Sequence, residues 1–335
     1  MKNTLSTRSA LALSTLVACT LALTACATQP SVGAADKGDG SYPLTLESPY
    51  GTTVLEAKPQ SVAVLSSVDL DIALALGIEP VISPQYGDMP PEPATQEKLD
   101  ELGIDELATY DFTDGTDFEA IAAANPDVIL ATSGWTLEED YEQLSKIAPI
   151  VSFEGKNGLA TMTWDQRTAA AGAALGLQEE AQAVIDEVAQ AFVDARTANP
   201  AFEGLSYTYA VIHPEQISYI SYEGSNISFF ADLGFVLPET ASQFSETEGT
   251  VSKENLDLLE ADVLLVGYPF GDEGLLSRDA LESDQLFQSL PSVKSGHYAV
   301  IDDSIASPLA YPTPLGQLWV LERIIPVLQQ AVAAS

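Results

Sequence analysis

The sequence predicts an α/β fold of two doubly wound α/β lobes joined by a single long backbone helix, with a ligand cleft between the lobes. Three observations carry this prediction. Short apolar runs of strand length alternate with helix-periodic segments through most of the chain. Segment 117–130 recurs without a gap as segment 252–265. An Ala-rich stretch of good helix formers, Met162 to Ala198, separates the two copies.

The first element sets the compartment. Lys2 and Arg8 precede an uncharged run from Ser9 to Ala25 that ends in Leu23-Thr24-Ala25-Cys26. The run is too short and too poor in large apolar residues to span a bilayer, and small residues before a cysteine suit a lipoprotein signal peptidase. Residues 1–25 are expected to be a signal peptide and Cys26 the lipidated residue, with attachment to the outer face of the cytoplasmic membrane through lipid only. The other cysteine, Cys19, lies inside the signal, so the folded part has no thiol for a disulfide or a nucleophile. Residues 26–41, rich in Ala, Thr, Ser, Gly and Asp, read as a flexible tether.

The N-terminal lobe is expected over 42–160. Leu44–Glu47 and Thr53–Glu56 flank Pro49-Tyr50-Gly51 as a hairpin. Ser61–Leu65 is a buried strand, Val68–Leu76 a helix closed by Gly77, and Pro80–Ile82 strand-like. Phe118–Ala124 is a helix stopped by Asn125-Pro126; Asp127–Ala131, Leu137–Ile147 and Ile150–Phe153 then read as strand, helix and strand. The linking helix is placed at 161–199 with one interruption at Gly176, and the C-terminal lobe at 200–335. In that lobe strands fall near 207–212, 217–222, 263–266 and 298–301, before a last helix from about Pro314 to Ala334. A second match pairs Leu74-Ala-Leu-Gly-Ile78 with Ala231-Asp-Leu-Gly-Phe235, in the same order relative to the first.

Charge excludes several functions. The 335-residue chain carries a net charge of −36. The signal contains two basic and no acidic residues, so its removal leaves −38 on the remainder. Such a protein does not bind nucleic acid and is repelled by anionic membrane surfaces. Only two histidines, His213 and His297, are present, too few imidazoles for a carrier of free zinc or manganese. Neither Gly-x-Ser-x-Gly, Ser-x-x-Lys nor His-Glu-x-x-His occurs, which argues against a hydrolase, the competing class; no cofactor and no catalytic residue is expected.

Ligands of doubly wound sheets bind beyond the carboxyl ends of the strands. The residues expected there are Ser66, Ser67, Tyr86 and Thr132-Ser133-Gly134-Trp135 in the first lobe, and His213, Tyr219, Tyr222, Tyr268, Phe270 and Arg278 in the second. Trp135 follows a buried strand and a Ser-Gly pair, a poor position for a core residue. Tyr219 alternates with Ile217 and suits core or cleft equally. Tyr268 and Phe270, around Pro269, suit either stacking on a ligand or packing within their loop.

The runs Lys58-Pro-Gln-Ser-Val-Ala-Val-Leu65, Asp69-Leu70 with Leu76-Gly77-Ile-Glu-Pro80, Phe118-Glu-Ala-Ile121 with Asn125-Pro-Asp127, and Leu144-Ser-Lys-Ile-Ala-Pro149 resemble the ferric-siderophore-binding lipoproteins of ABC importers. In the second half, Val251-Ser-Lys-Glu254, Leu286-Phe-Gln-Ser-Leu-Pro-Ser-Val293 and Ser307 to Leu328 agree. The resemblance covers nearly all of the chain beyond the tether. It implies two lobes bridged by a rigid helix, a monomer that captures an iron chelate, and delivery to an ABC permease dimer with its ATPase. In the family a glutamate near the start of one helix in each lobe contacts permease arginines, and the matching positions are Glu119 and Glu254. An acidic residue in a helix's first turn is also ordinary dipole chemistry. For the ligand, the scarcity of basic residues beyond Arg278 favours a neutral or cationic chelate such as a ferric hydroxamate over a tricatecholate, with haem as the alternative, ligated by His213 or a tyrosine.

Overall fold

A computed structural model describes residues 42–219, 226–245, 250–268 and 274–333. The chain enters on a hairpin, β1 (Leu44–Ser48) and β2 (Gly51–Leu55), paired antiparallel with Ser48 opposite Gly51. There follow β3 (Val62–Val64), α1 (Ser67–Ala75), β4 (Ser83–Gln85), α2 (Pro93–Leu102), β5 (Thr109–Asp111), α3 (Phe118–Ala123), β6 (Val128–Ala131), α4 (Leu137–Leu144) and β7 (Ile150–Ser152). Strands β3, β6 and β7 form a parallel sheet in the order β3-β6-β7. The parallel pair β4-β5 joins its β3 edge through the Ala63–Ile82 bridge. Both faces are covered, which is why these strands are continuous apolar runs. Val62, Val64, Val128 and Leu130 pack on α1, while Ala63, Leu65, Ile129 and Ala131 pack towards α3 and α4.

The Ala-rich stretch forms two helices where one was expected. A short α5 (Gly158–Thr161) precedes α6 (Trp164–Leu175) and α7 (Gln178–Ala198), with Gly176 between the latter two at φ +62°. The break is braced from outside, because Lys58 Nζ donates to Gly176 O at 3.1 Å and Tyr42 Oη to Ala174 O at 3.0 Å. Gly172 lets the helices close up: a Cβ there would lie 2.4 Å from the Ala181 Cβ. The bridging role falls to α7, whose Ala181 belongs to the first core and whose Val188 and Phe192 belong to the second.

The second sheet has the order β10-β9-β8-β11-β12, built from β8 (Tyr207–Ile212), β9 (Gln216–Tyr219), β10 (Thr250–Ser252), β11 (Val263–Gly267) and β12 (Tyr298–Ile301). Strands β8, β11 and β12 are parallel; β9 and β10 add antiparallel. Its helices are α8 (Asn226–Asp232), α9 (Ala241–Ser245), α10 (Arg278–Ser283), α11 (Pro291–Ser295), α12 (Asp303–Ala310) and α13 (Pro314–Ala333), with a 3₁₀ segment Lys253–Leu259. No helix among the described residues is long and apolar enough to cross a membrane.

The internal repeat is physical. Gly77 and Gly234, both at positive φ, close α1 and α8 with the same pair of bonds: Gly77 N to Leu74 O and Ile78 N to Ala73 O, then Gly234 N to Ala231 O and Phe235 N to Phe230 O. Asp127 and Asp262, matched in the repeat, each fasten the start of the neighbouring strand. Asp127 Oδ2 accepts from Ser61 N (3.0 Å) while Ser61 Oγ accepts from Asp127 N (2.9 Å). Asp262 Oδ2 accepts from Ser206 N (2.8 Å) and Ser206 Oγ accepts from Asp262 N (2.9 Å).

The last helix also bridges. Leu315 packs on the first core and Val320 to Ala331 on the second. Three contacts tie this region to α1 and α2. Thr313 Oγ1 donates to Asp71 Oδ2 (2.7 Å), Ser307 Oγ to Glu92 Oε1 (2.8 Å), and Trp319 Nε1 to Glu97 Oε1 (3.0 Å). Arg323 lies over the Trp319 ring and pairs with the same Glu97.

Candidate functional site

The carboxyl ends of β4, β5 and β6 bring three rings together. Tyr86 follows β4, Phe112 follows β5 and Trp135 follows β6. Tyr86 and Phe112 meet edge to face at 5.2 Å, and Phe112 and Trp135 at 5.8 Å. Phe112 is buried, whereas Tyr86 is 38 % and Trp135 61 % exposed, so one core ring supports two solvent-exposed ones. Phe112 was missed in the sequence. Its signal was the alternation with Tyr110, which puts both rings on one face of β5 and its extension.

Trp135 projects from a loop whose base is held firmly. Thr132 donates from N (2.9 Å) and Oγ1 (2.6 Å) to Asp69 Oδ1, and Gly134 N donates to Ala131 O. Ser66 and Thr132, expected at the cleft, are therefore buried bracing residues, while Ser67 is exposed at the start of α1. Burial pushes the Asp69 carboxyl up; the Ser66 and Thr132 hydrogen bonds and the Arg167 charge oppose this. One acidic group stands beside Tyr86 and another follows Trp135 in α4. Asp111, held below the usual carboxylate range by the Thr113 hydroxyl and backbone, is exposed and accepts from Gly87 N beside Tyr86. Asp140 accepts from Thr116 Oγ1.

In the second lobe the structure corrects one expectation and modifies others. Tyr268 is 7 % exposed, lies in the core with Leu264 and Val266, and donates its hydroxyl to Leu276 O at 2.9 Å; it anchors a loop and does not line the cleft. Arg278, the first residue of α10, is exposed but donates from Nε to Glu282 Oε1 at 2.7 Å, which raises its pKa and uses its charge within its own helix. His213 has Nδ1 3.4 Å from Gly274 O and Nε2 3.2 Å from Ser218 Oγ, so both ring nitrogens have protein partners. Tyr219 is the last residue of β9. Tyr222, Phe270 and Cys26 lie outside the described residues. Among the described residues no group of three or more His, Cys, Asp or Glu side chains is placed to hold a metal ion.

Glu119 and Glu254 occupy equivalent places. Glu119 stands in the first turn of α3, whose cap Asp117 accepts from Ala120 N at 2.9 Å; Glu254 stands in the first turn of the 3₁₀ segment capped by Ser252. Both carboxylates are exposed, and neither has a partner among the described residues. Each is followed by the matched aspartate and then its strand, Asp127 before β6 and Asp262 before β11.

This geometry has counterparts among known proteins. The pattern of the periplasmic binding protein family matches residues 62–305. Two crystal structures of the Streptococcus pneumoniae TIGR4 protein PiaA are 28 % identical to this chain. The one in complex with ferrichrome superposes with a TM-score of 0.73 and covers 87 % of this chain and 99 % of the other. The second, described as an iron uptake ABC transporter substrate-binding protein, has a TM-score of 0.71 and covers 87 % and 100 %. The Bacillus subtilis (strain 168) Fe(3+)-citrate-binding protein YfmC is 24 % identical over 286 residues, covering 84 % of this chain and 85 % of YfmC. YfiY of the same organism, a probable siderophore-binding lipoprotein, is 26 % identical over 276 residues, 78 % and 81 % of the two chains. Two sheets with their own cores, bridged by α7 and α13 and matched along most of their length, place the chain in the periplasmic binding protein family.

Proposed function

We propose that this protein is the extracytoplasmic substrate-binding component of an ABC importer, which captures an iron-siderophore complex and delivers it to a membrane permease. The observation that carries the reading is the exposed Tyr86–Trp135 pair on Phe112, a ring wall at the strand ends of a chain 28 % identical to PiaA, whose structure holds ferrichrome. Ring faces suit the apolar rim of a chelate better than a bare metal ion, and the relatives are binding proteins, which supports a non-enzymatic role.

The ligand is a neutral or cationic ferric hydroxamate. Asp111 makes the neighbourhood of Tyr86 negative, and Arg278 is already paired with Glu282. An anionic chelate would meet that field within about 8 Å, where salt screens it least. Haem is the weaker reading, because His213 is engaged at both nitrogens. Glu119 and Glu254 dock on cationic side chains of the two permease subunits. Cys26 carries the lipid, residues 1–25 are the signal and 26–41 the tether, and the protein acts as a monomer.

The test is tryptophan fluorescence quenching by ferrichrome, ferric citrate, a ferric tricatecholate and haem. Saturable sub-micromolar quenching by ferrichrome, lost in Trp135→Ala, is expected. Tighter binding of the tricatecholate by about tenfold or more would overturn the charge argument, and binding of haem alone would replace the ligand.

A further inference from the structure

Asp69 is buried more deeply than capping a helix requires. Ser66 caps α1 by accepting from Asp69 N at 3.0 Å, and a Ser-x-x-Asp pattern normally sends the acidic side chain back to the cap's own backbone at the surface. Here the carboxylate is 1 % exposed and turns across the sheet. Its Oδ1 accepts from Thr132 N (2.9 Å) and Thr132 Oγ1 (2.6 Å). Its Oδ2 accepts from Ser66 Oγ (2.6 Å) and, at 3.4 Å, from Ser133 N. Three of these four bonds come from the loop that presents Trp135.

The third strand end is held by a buried cation nearby. Arg167, in the first turns of α6 and 7 % exposed, donates from Nη2 to Leu159 O in α5 at 2.7 Å, and its charge acts on Asp69. The loops after β3 and β6 therefore share one buried carboxylate. A buried carboxylate satisfied by charge-assisted bonds is stiff, since each donor it loses leaves a desolvated partner behind. Trp135 is three residues from Thr132. The intervening turn is tight: Gly134 N bonds to Ala131 O, Leu137 N to Gly134 O, and a Cβ on Gly134 would sit 3.2 Å from the Ala131 Cβ. A displacement of Thr132 is carried to the indole with little slack.

We propose that Asp69 is the positioning residue that fixes Trp135 against Phe112 and so sets the shape of the ligand wall. The effect on ligand rests on the reading of Trp135 given above; the effect on the loop does not.

The experiment incorporates 5-fluorotryptophan into the full chain, which has three tryptophans, Trp135, Trp164 and Trp319. Trp135 is assigned through Trp135→Phe, and the ¹⁹F spectra of Asp69→Asn and of the milder Thr132→Val are recorded without ligand, followed by ferrichrome titrations. The expected result is that the Trp135 resonance shifts or broadens in both variants while Trp164 and Trp319 stay in place, and that ferrichrome binds about tenfold more weakly in Asp69→Asn, the size of one lost charge-assisted bond. An unmoved Trp135 resonance in both variants overturns the proposal. So do three resonances moving together in both, which would make Asp69 a general stability element. A moved Trp135 resonance with ferrichrome affinity unchanged, there and in Trp135→Ala, upholds the positioning role and removes Trp135 from the ligand wall.

Discussion

Replacing Asp71 by asparagine should make the protein more stable at neutral pH and leave it nearly unchanged in acid. Asp71 lies in α1, 6 % exposed, with Thr95 Oγ1 at 2.6 Å and Thr313 Oγ1 at 2.7 Å as donors. Burial pushes its carboxyl from 3.8 up to about 6; the two threonine bonds oppose the rise and the charge of Glu92 adds to it. A carboxyl raised in the folded state keeps its proton where the unfolded chain has lost it. Its favourable contribution is complete below 3.8 and is lost as the pH rises through about 6. At about 1.4 kcal/mol per pH unit the full loss is about 3 kcal/mol, most of which falls between about pH 4 and pH 7.5. Asparagine accepts from one threonine and donates to the other without titrating. Guanidinium denaturation of both proteins across this range reads the difference directly, and carboxylates common to the two cancel. A stability difference that does not change with pH would refute the reasoning.

The remaining predictions use the repeat and the helix junction. Changing Glu119 and Glu254 together to Ala should abolish iron uptake in cells while ferrichrome affinity stays within about twofold, a change well under 1 kcal/mol; unimpaired uptake would remove the docking role. Gly172→Ala places a methyl 2.4 Å from the Ala181 Cβ and should lower stability by about 1–3 kcal/mol with secondary structure retained, seen as a lower Tm at unchanged circular dichroism. Asp262→Ala removes the acceptor of Ser206 N at an exposed strand start and should cost on the order of 1 kcal/mol, with faster amide exchange at Ser206. The Ser206 hydroxyl and backbone N–H hold the Asp262 carboxyl below its usual range, so this contribution is lost as pH falls.

Much of the fold was legible because its signals are local. The paired strand runs, the helix-closing glycines and the twofold recurrence of Asp127 and Asp262 each follow from residues adjacent in sequence, and the structure realises them with the same hydrogen bonds in both halves. The break at Gly176 was marked by the glycine itself, but not the need for it, which depends on Gly172 meeting Ala181. Tyr268 was misplaced by reading β11 as ended at Val266. The alternation Leu264, Val266, Tyr268 runs on through Gly267 and keeps the ring on the core face. The Arg278–Glu282 pairing was visible as an i, i+4 spacing. The joining of Tyr86 to Trp135 was not, since it needs Phe112 from a third strand end.

The two threads from the end of the chain to Asp71 and Glu92 span 242 and 215 positions. A ribosome or translocation pore delivers Ser307 and Thr313 long after their partners. Until then α1 and α2 carry a desolvated carboxylate without one of its donors and an apolar face without Leu315, although the first sheet has long since been released. Chains cut before Ser307 should thus be weakened in the half made first as well as in the half they lack, and be more open to proteases there. Thr313 and Leu315 finish the interior of a half whose own strands end at Ser152.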